Sequence, residues 1–509
     1  MISAIPKKSL KRAKKILQAI LAIDQGTTGT RALVYDKQGR VLASAYEEFP
    51  QHFPQPGWVE HDPEKIWKSV LNVISAVFSR ARLSSSQIAA IGITNQRETT
   101  LLWDRKTSRT VYPAIVWQDR RTSVLCETLK KRGLEKKIRA ETGLVLDPYF
   151  SATKIRWILD HVPGLRAKAE RGEILFGTMD SWLLWKLTGG KVHATDFTNA
   201  SRTLLFNIRA KTWDKELLRL FKIPEKMLPE ARESASLFGK TAVSGVLKEG
   251  IPVHAIMGDQ QAALYGQACY HAGDVKNTYG TGCFVMINLG PKPLKHPPFG
   301  LLETLACDQS GKPVYALEGA IFIAGAAIQW LRDGLGFFKK AGETESMIRK
   351  LRDSGGVTMV PAFAGLGSPY WQSNARGMIT GLTRGTKREH IVRAALESIA
   401  HQSADVIEAM KTAVRSPISS LKVDGGATRN HFLMQFQADL LRIPVRVSDI
   451  AESTAWGVAK LAGKASRFWN SLDALDQRRR YQKFRPRMER RQVIALRESW
   501  KKEIRRLIS

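Results

Sequence analysis

The sequence LAIDQGTTGTRALVYD, residues 21–36, decides the fold class. Its two apolar runs flank the turn QGTTGT, and this pattern predicts a pair of strands joined by a tight turn. The same arrangement returns in VKNTYGTGCFVMINL, residues 275–289. Turns rich in glycine and threonine expose backbone N–H groups and hydroxyls, which suits them to phosphate oxygens. A lone turn of this kind is more often just a tight hairpin. Two such turns, one in each half of the chain, predict that a polyphosphate is bound between them.

Further segments around the two hairpins predict alternating strands and helices. Asp62 followed by Pro63 is typical of a helix start, and that helix is expected to continue to about residue 78. The other predictions are strands over 41–47, 89–94, 251–257 and 421–424, and helices over 151–161 and 175–187. This mixture predicts an α/β fold, and 509 residues predict two domains. We place their boundary near residue 267.

Composition excludes several classes of protein. The chain is 43% hydrophobic and 25% charged, as folded globular proteins are. Its apolar runs fall short of the ~18 residues that predict a membrane span. The four cysteines form no C-x-x-C pair, so we expect neither disulfides nor a metal cluster, and a cytoplasmic location fits best. The sequence has no Walker A loop and no G-x-G-x-x-G, which argues against P-loop and Rossmann folds.

The net charge of +32 is unusual, and the two ends carry half of it. Residues 1–15 contribute +6, and residues 478–506 contribute +10. Such ends could bind nucleic acid, but no stacking aromatic residues accompany them, so nucleic acid is not an expected partner. The acid-free start faintly resembles an organellar presequence. Because the apolar run 16–23 leads directly into the first hairpin, we interpret residues 1–20 as a basic extension instead.

Four charged residues suggest chemistry. Asp24 lies at the mouth of the first turn, where a carboxylate beside phosphates usually indicates Mg²⁺. Asp259 follows the strand 251–257, where it could accept a proton from a hydroxyl in phosphoryl transfer. It could equally cap a helix that begins at Gln260. Arg97 and Glu98 follow another strand, and they are either a surface ion pair or donors and acceptors for a polyol.

These segments together resemble the FGGY family of carbohydrate kinases from about residue 20 to residue 470. The resemblance is carried by two long patterns, at residues 149–160 (YFSATKIRWILD) and 377–397, and by GITNQRETT, PGWVEHDP and NTYGTGCF at 92–100, 56–63 and 277–284. It implies two actin-like domains, each with a ribonuclease-H-like core, at residues 21–267 and 268–509. ATP would bind in the cleft between them. The segment after residue 94 implies glycerol as the substrate rather than a pentulose.

The resemblance also implies roles for individual residues. Asp259 would be the general base on a terminal hydroxyl of glycerol, which becomes sn-glycerol 3-phosphate. The glycerol-binding side chains would be Arg97, Glu98, Tyr149, Asp259 and Gln260, with Trp117 and Phe284 covering the carbon chain. Core packing is the alternative for these two aromatic residues.

For the nucleotide, the resemblance implies phosphate contacts from Thr27, Thr28, Gly29, Arg31 and Thr281, and an adenosine site lined by Gly325, Gln329, Gly426 and Asn430. Asp24 would hold Mg²⁺, and ATP would be the second substrate. Gly29 departs from relatives that carry serine there, which removes one hydroxyl. We expect a homo-oligomer, either a dimer or a tetramer.

Three alternatives remain open at this point. The first is another sugar or polyol kinase of the same family, which a panel of substrates would distinguish. The second is a scaffold that binds nucleic acid on an inactive kinase fold, although the intact Asp24, Arg97 and Asp259 speak against it. The third is an actin-like chaperone, for which the chain has no spare length to form a substrate-binding domain.

Overall fold

The computed structural model describes residues 18–372, 374–414, 417–450 and 452–509. Most of the predicted basic extension, residues 1–17, lies outside the described residues. The described chain forms two large mixed sheets with helices packed against them, which confirms the predicted α/β fold with two domains.

The first half of the chain builds a six-stranded sheet in the order β14–β15–β6–β1–β2–β3. The strands of this half are β1 (Ala19–Gln25), β2 (Gly29–Tyr35), β3 (Val41–Glu48), β4 (Gln51–His52), β5 (Glu60–His61), β6 (Ile88–Asn95), β7 (Leu101–Asp104), β8 (Ala114–Ile115), β9 (Ile174–Gly177), β10 (Ala194–Asp196), β11 (Phe206–Asn207), β12 (Thr212–Trp213), β13 (Glu230–Arg232), β14 (Gly239–Lys240) and β15 (Pro252–Gly258). Its helices are α1 (Pro63–Ala81), α2 (Ser123–Lys131), α3 (Glu135–Thr142), α4 (Ser151–His161), α5 (Leu165–Arg171), α6 (Met179–Leu187), α7 (Phe197–Ala200), α8 (Lys215–Phe221) and α9 (Asp259–Gly266).

The second half builds a seven-stranded sheet in the order β18–β19–β17–β16–β22–β23–β24. Its strands are β16 (Val275–Tyr279), β17 (Cys283–Gly290), β18 (Leu302–Cys307), β19 (Pro313–Ile321), β20 (Thr358–Val360), β21 (Met378–Thr380), β22 (Leu421–Asp424), β23 (Val445–Ser448) and β24 (Tyr481–Phe484). Its helices are α10 (Gly325–Asp333), α11 (Glu343–Ile348), α12 (Arg388–Lys411), α13 (His431–Leu441), α14 (Ser453–Ala465), α15 (Asp473–Gln477) and α16 (Arg490–Ile508).

The two sheets share one arrangement of five strands. In the first, β1, β2 and β3 are antiparallel neighbours, while β6 and then β15 run parallel to β1 on its other side. In the second, β16, β17 and β19 repeat the antiparallel part, and β22 and β23 repeat the parallel part. The hairpins predicted from the sequence are therefore the first two strands of each sheet.

A local sequence signal explains where helix α1 begins. The carboxylate of Asp62 accepts hydrogen bonds from the backbone N–H groups of Glu64 and Lys65, which fixes the start of α1 as predicted.

The predicted helix over 175–187 is wrong in its first part. Residues 174–177 form β9, paired antiparallel with β7, and the helix begins only at Met179. A short apolar run does not distinguish a buried strand from a helix. Here residues 174–177 form a strand because they pair with the edge of β7.

Helix α14 belongs to the second half in sequence, yet it packs on the first sheet. It lies against α9 and against β1, β6 and β15, and the rings of Trp456 and Tyr35 are 5.1 Å apart. Where α14 crosses α9, a Cβ atom on Gly457 would overlap the carbonyl oxygen of Ala262. The missing side chain therefore lets the two backbones touch, and this crossing connects the two halves. Among the described residues, no helix combines the length and apolarity needed to cross a bilayer.

Candidate active site

The site begins at the carboxyl ends of three neighbouring parallel strands of the first sheet. Asp24 of β1, Thr94 of β6 and Met257 of β15 lie side by side in the strand register. The residues that follow these positions therefore reach the same edge of the sheet. Ligands of open α/β sheets bind at this edge. The register thus brings the first hairpin, the Arg97–Glu98 pair and Asp259 together.

Arg97 lies at the centre of a buried ion network. Its Nε is 3.1 Å from Oδ1 of Asp259, and its two terminal nitrogens donate to the carboxylate of Glu318 at 2.5 and 3.1 Å. Burial works against the charge of Arg97, but Glu318 and the other nearby acids outweigh it and raise the pKa well above the usual value. With 3% of its surface exposed, Arg97 cannot form the surface ion pair that the sequence left open. That alternative is wrong.

Glu98 is held beside Arg97 in an unusual backbone conformation. Its φ of 62° lies in the left-handed region, which few residues other than glycine adopt. Its carboxylate accepts a hydrogen bond of 2.6 Å from Nε of Arg202, and its backbone oxygen accepts one of 3.1 Å from Ser151. Burial raises the pKa of Glu98, and the two arginines oppose this. Strained backbone of this kind is concentrated at functional sites.

Asp259 occupies the first turn of α9. Gly258 holds the N-cap position, so the carboxylate of Asp259 does not cap the helix from outside it. Instead it accepts hydrogen bonds from the backbone N–H of Gln260 at 2.7 Å and from the amide side chain of Gln260 at 3.2 Å. Its side chain is 31% exposed, whereas that of Arg97 is 2% exposed. Asp259 is thus oriented by buried neighbours and remains open to a ligand.

Three aromatic rings stand next to this ion network. The rings of Trp117 and Tyr149 meet edge to face at 5.6 Å, and those of Trp117 and Phe284 at 6.4 Å. The indole N–H of Trp117 donates to the hydroxyl of Thr27 at 2.9 Å, which fixes the ring beside the first hairpin. Because Phe284 comes from β17, this cluster also brings the second hairpin to the same crevice. Burial raises the pKa of Tyr149, and Glu98 raises it further.

The first hairpin turns between β1 and β2, where the N–H of Gly26 donates to the oxygen of Gly29 at 2.9 Å. The hydroxyl of Thr28 lies 3.4 Å from that of Tyr46, and the guanidinium of Arg31 lies 5.0 Å from the centre of the Tyr46 ring. A Cβ atom on Gly29 would come within 2.6 Å of that ring. Glycine at position 29 therefore has a local reason, since Tyr46 fills the space that a side chain would need.

Asp24 is the predicted metal-binding residue. Burial raises the pKa of its carboxyl to about 7, which Arg31 lowers and Asp259 raises. Within the described residues, no cluster of three or more His, Cys, Asp or Glu side chains suits a metal ion. Mg²⁺ in nucleotide sites usually takes one or two carboxylates and completes its shell with water and phosphate oxygens. Asp24 fits that role, because a nearby cation would offset its buried charge.

The predicted adenosine residues lie around one cavity of about 420 Å³ in the second half. All five predicted nucleotide residues of this half line it: Thr281, Gly325, Gln329, Gly426 and Asn430. A Cβ on Gly325 would lie 2.5 Å from the carbonyl oxygen of Gly280, so glycine permits the close approach of α10 to the second hairpin. This volume is in the range of small-molecule sites.

Sequence reasoning missed several residues of the site. Arg202 and Glu318 complete the buried network, and Lys276 of β16 contacts the amide side chain of Gln260. For Glu318 the signal in the sequence was a charged residue within an apolar run, YALEGAI at residues 315–321, whereas Arg202 and Lys276 lie in polar stretches. Thr344 and Glu345, at the start of α11, also line the cavity, but no sequence signal connects them to it.

Comparison with known proteins agrees with this geometry. The N-terminal domain of the FGGY family of carbohydrate kinases matches residues 19–266, and its C-terminal domain matches residues 275–466. The chain belongs to the FGGY family. These two matches together cover most of the sequence, so the predicted family membership is confirmed.

Several glycerol kinases are similar to this chain over nearly its whole length. That of Bacillus licheniformis is 52% identical over 486 residues, which are 95% of this chain and 98% of the relative. That of Caldanaerobacter subterraneus subsp. tengcongensis is 53% identical over 488 residues, covering 96% of this chain and 98% of the relative. Among solved structures, glycerol kinase of Plasmodium falciparum with ADP is 35% identical, with a TM-score of 0.90 over 97% of this chain and 99% of that one.

Proposed function

We propose that this FGGY kinase transfers the γ-phosphoryl group of ATP to a terminal hydroxyl of glycerol, giving sn-glycerol 3-phosphate and ADP. The full-length similarity to glycerol kinases supports the choice of substrate. The observation that carries the proposal is that both hairpins contact Trp117. Its indole N–H donates a hydrogen bond to Thr27 of the first hairpin, and its ring packs against Phe284 of the second hairpin. The two phosphate-binding turns therefore face one site.

The polyol would lie between the ion network and the aromatic rings. Arg97 and Gln260 offer N–H donors, while Glu98 and Asp259 offer carboxylate acceptors, so the three hydroxyls of glycerol find both kinds of partner. The rings of Trp117, Tyr149 and Phe284 would cover its C–H groups.

Asp259 would act as the general base. The glycerol oxygen attacks the γ-phosphorus, its proton passes to the Asp259 carboxylate, and ADP leaves with the electrons of the broken P–O bond. Positioning and electrostatics dominate phosphoryl transfer. The backbone N–H groups and hydroxyls at Thr27, Thr28, Gly29 and Thr281, with Arg31, would hold the phosphates. Mg²⁺ near Asp24 would supply charge neutralisation at the phosphate oxygens.

The adenosine part of ATP would occupy the cavity of about 420 Å³ lined by Gly325, Gln329, Gly426 and Asn430. Closure of the two halves would exclude water and limit the hydrolysis of ATP. We further propose that the halves divide near residue 267 and that the enzyme works in the cytoplasm, where its four buried cysteine thiols stay reduced. The homo-oligomer stays a prediction.

A panel of substrates tests this function. The purified chain is assayed with Mg·ATP and with glycerol, erythritol, xylulose, ribulose and gluconate, by coupling ADP formation to NADH oxidation. Glycerol should give the highest kcat/KM. A higher value for any other substrate would assign the chain to a different specificity within the FGGY family.

A further inference from the structure

Three residues of the second sheet form one row that faces the first half. Lys276 of β16 is paired with Met286 of β17, and Met286 is paired with Glu318 of β19. Directly paired residues of neighbouring strands project from the same face of a sheet. The row therefore presents a cation at one end, an apolar side chain in the middle and an anion at the other end.

The apolar middle of the row packs on α9, because Met286 belongs to the same buried cluster as Leu264. The acidic end lies against two arginines of the first half. The Glu318 carboxylate accepts two hydrogen bonds from Arg97, at 2.5 and 3.1 Å, and one of 2.9 Å from Arg202. Glu318 has no exposed surface. Burial acts to raise its pKa, but the arginines more than compensate and hold the pKa below the usual value. Glu318 is thus a fixed negative charge that orients Arg97.

The basic end of the row lies against Gln260. The ammonium of Lys276 donates to the side-chain oxygen of Gln260 and, at 2.9 Å, to the hydroxyl of Thr278. The amide nitrogen of Gln260 lies 3.2 Å from Oδ2 of Asp259. Lys276 therefore decides which end of the Gln260 amide faces Asp259, and so aims a donor rather than an acceptor at the proposed base.

From this arrangement we infer that Glu318 and Lys276 are positioning residues, through which the second half holds the proposed glycerol-binding side chains Arg97 and Gln260 in place. The inference rests on the proposed function. Buried ion pairs are weak stabilisers, because desolvation consumes most of their attraction. A complementary pair of charges placed directly against the proposed polyol-binding residues therefore points to a role in substrate binding.

The test compares Glu318→Gln with Glu303→Gln. Glu303 is a buried carboxylate on the neighbouring strand β18 that binds the backbone N–H of Leu294, away from the site. A hydrogen bond to a charged group is worth about 1.5–3 kcal/mol, so Glu318→Gln should raise the KM for glycerol roughly tenfold to a hundredfold. The KM for ATP should change by less than about threefold on the same reasoning, since Glu318 does not line the nucleotide cavity. Glu318→Asp, which keeps the charge, should recover part of the loss.

The outcomes separate two failures. If the wild-type chain does not phosphorylate glycerol, the proposed function fails, and the variants are measured on its true substrate. If the wild type is active but Glu318→Gln keeps its glycerol KM, or loses affinity for glycerol and ATP equally, the positioning role is overturned. If Glu318→Gln does not fold, the same KM measurements are made on Lys276→Met. A rise in the glycerol KM alone supports the inference, and an unchanged glycerol KM refutes it.

Discussion

Replacing Asp259 by asparagine removes the proposed base while keeping the size of the side chain. General-base catalysis contributes about 10²–10⁴-fold to the rate, so kcat should fall by that factor, or about 3–5 kcal/mol of barrier. The fold should survive. Arg97 keeps its two hydrogen bonds to Glu318, so its buried charge stays paired when the ion pair with Asp259 is lost.

Steady-state kinetics and nucleotide binding together check this prediction. The kcat of Asp259→Asn is measured by the coupled assay, and affinity for ATP by equilibrium titration, which should match that of the wild type. Asp473→Asn is the control. Asp473 is an exposed carboxylate that accepts a hydrogen bond from Gln309, and its loss should leave kcat unchanged. A kcat for Asp259→Asn within about tenfold of wild type would mean that Asp259 is not the base.

Three further predictions follow from particular positions. Gly426 faces open space inside the nucleotide cavity, so Gly426→Val should raise the KM for ATP and leave the KM for glycerol unchanged. The control variant Gly385→Val should change neither KM, and an equal rise in both KM values for Gly426→Val would contradict the prediction. Gly457→Ala would force a Cβ against Ala262, and we expect urea titration to show a loss of about 1–3 kcal/mol or more; an unchanged midpoint would refute the close crossing. Burial and the nearby charge of Arg497 lower the pKa of His401 well below 6.5. Below pH 6.5 the unfolded chain therefore binds a proton on His401 that the folded chain does not bind. Unfolding free energy should therefore fall as the pH drops below 6.5, by up to ~1.4 kcal/mol per pH unit, and His401→Phe should remove that part of the slope.

The fold was largely predictable because its decisive features are local. Glycine and threonine turns between apolar runs identify both hairpins, and the Asp62–Pro63 pair marks the start of α1. The error at residues 174–177 arose where local sequence is ambiguous. Those residues form a strand because β7 offers an edge, and that edge is a property of the tertiary structure.

The site was predictable only in part, for a related reason. Apart from Gln329 in the middle of α10, the predicted nucleotide residues of the second half lie in turns and at helix starts, where sequence patterns are strong, and all of them line one cavity. Glu318 and Lys276 lie inside strands and belong to no turn or helix-start pattern. Each is a single charged residue in a buried strand, and its role depends on a partner that only the tertiary structure brings close. For Glu318 this partner is Arg97, 221 residues away, and for Lys276 it is Gln260 in α9.

A crystal structure with glycerol and a non-hydrolysable ATP analogue would show whether the two hairpins bind one triphosphate beside Asp259. We expect the γ-phosphate to lie between the turns at residues 26–29 and 280–282, with a terminal glycerol hydroxyl about 2.6–3.2 Å from the Asp259 carboxylate. A nucleotide in the cavity with its phosphates pointing away from Asp259, or glycerol bound outside the space between Arg97 and Trp117, would contradict it.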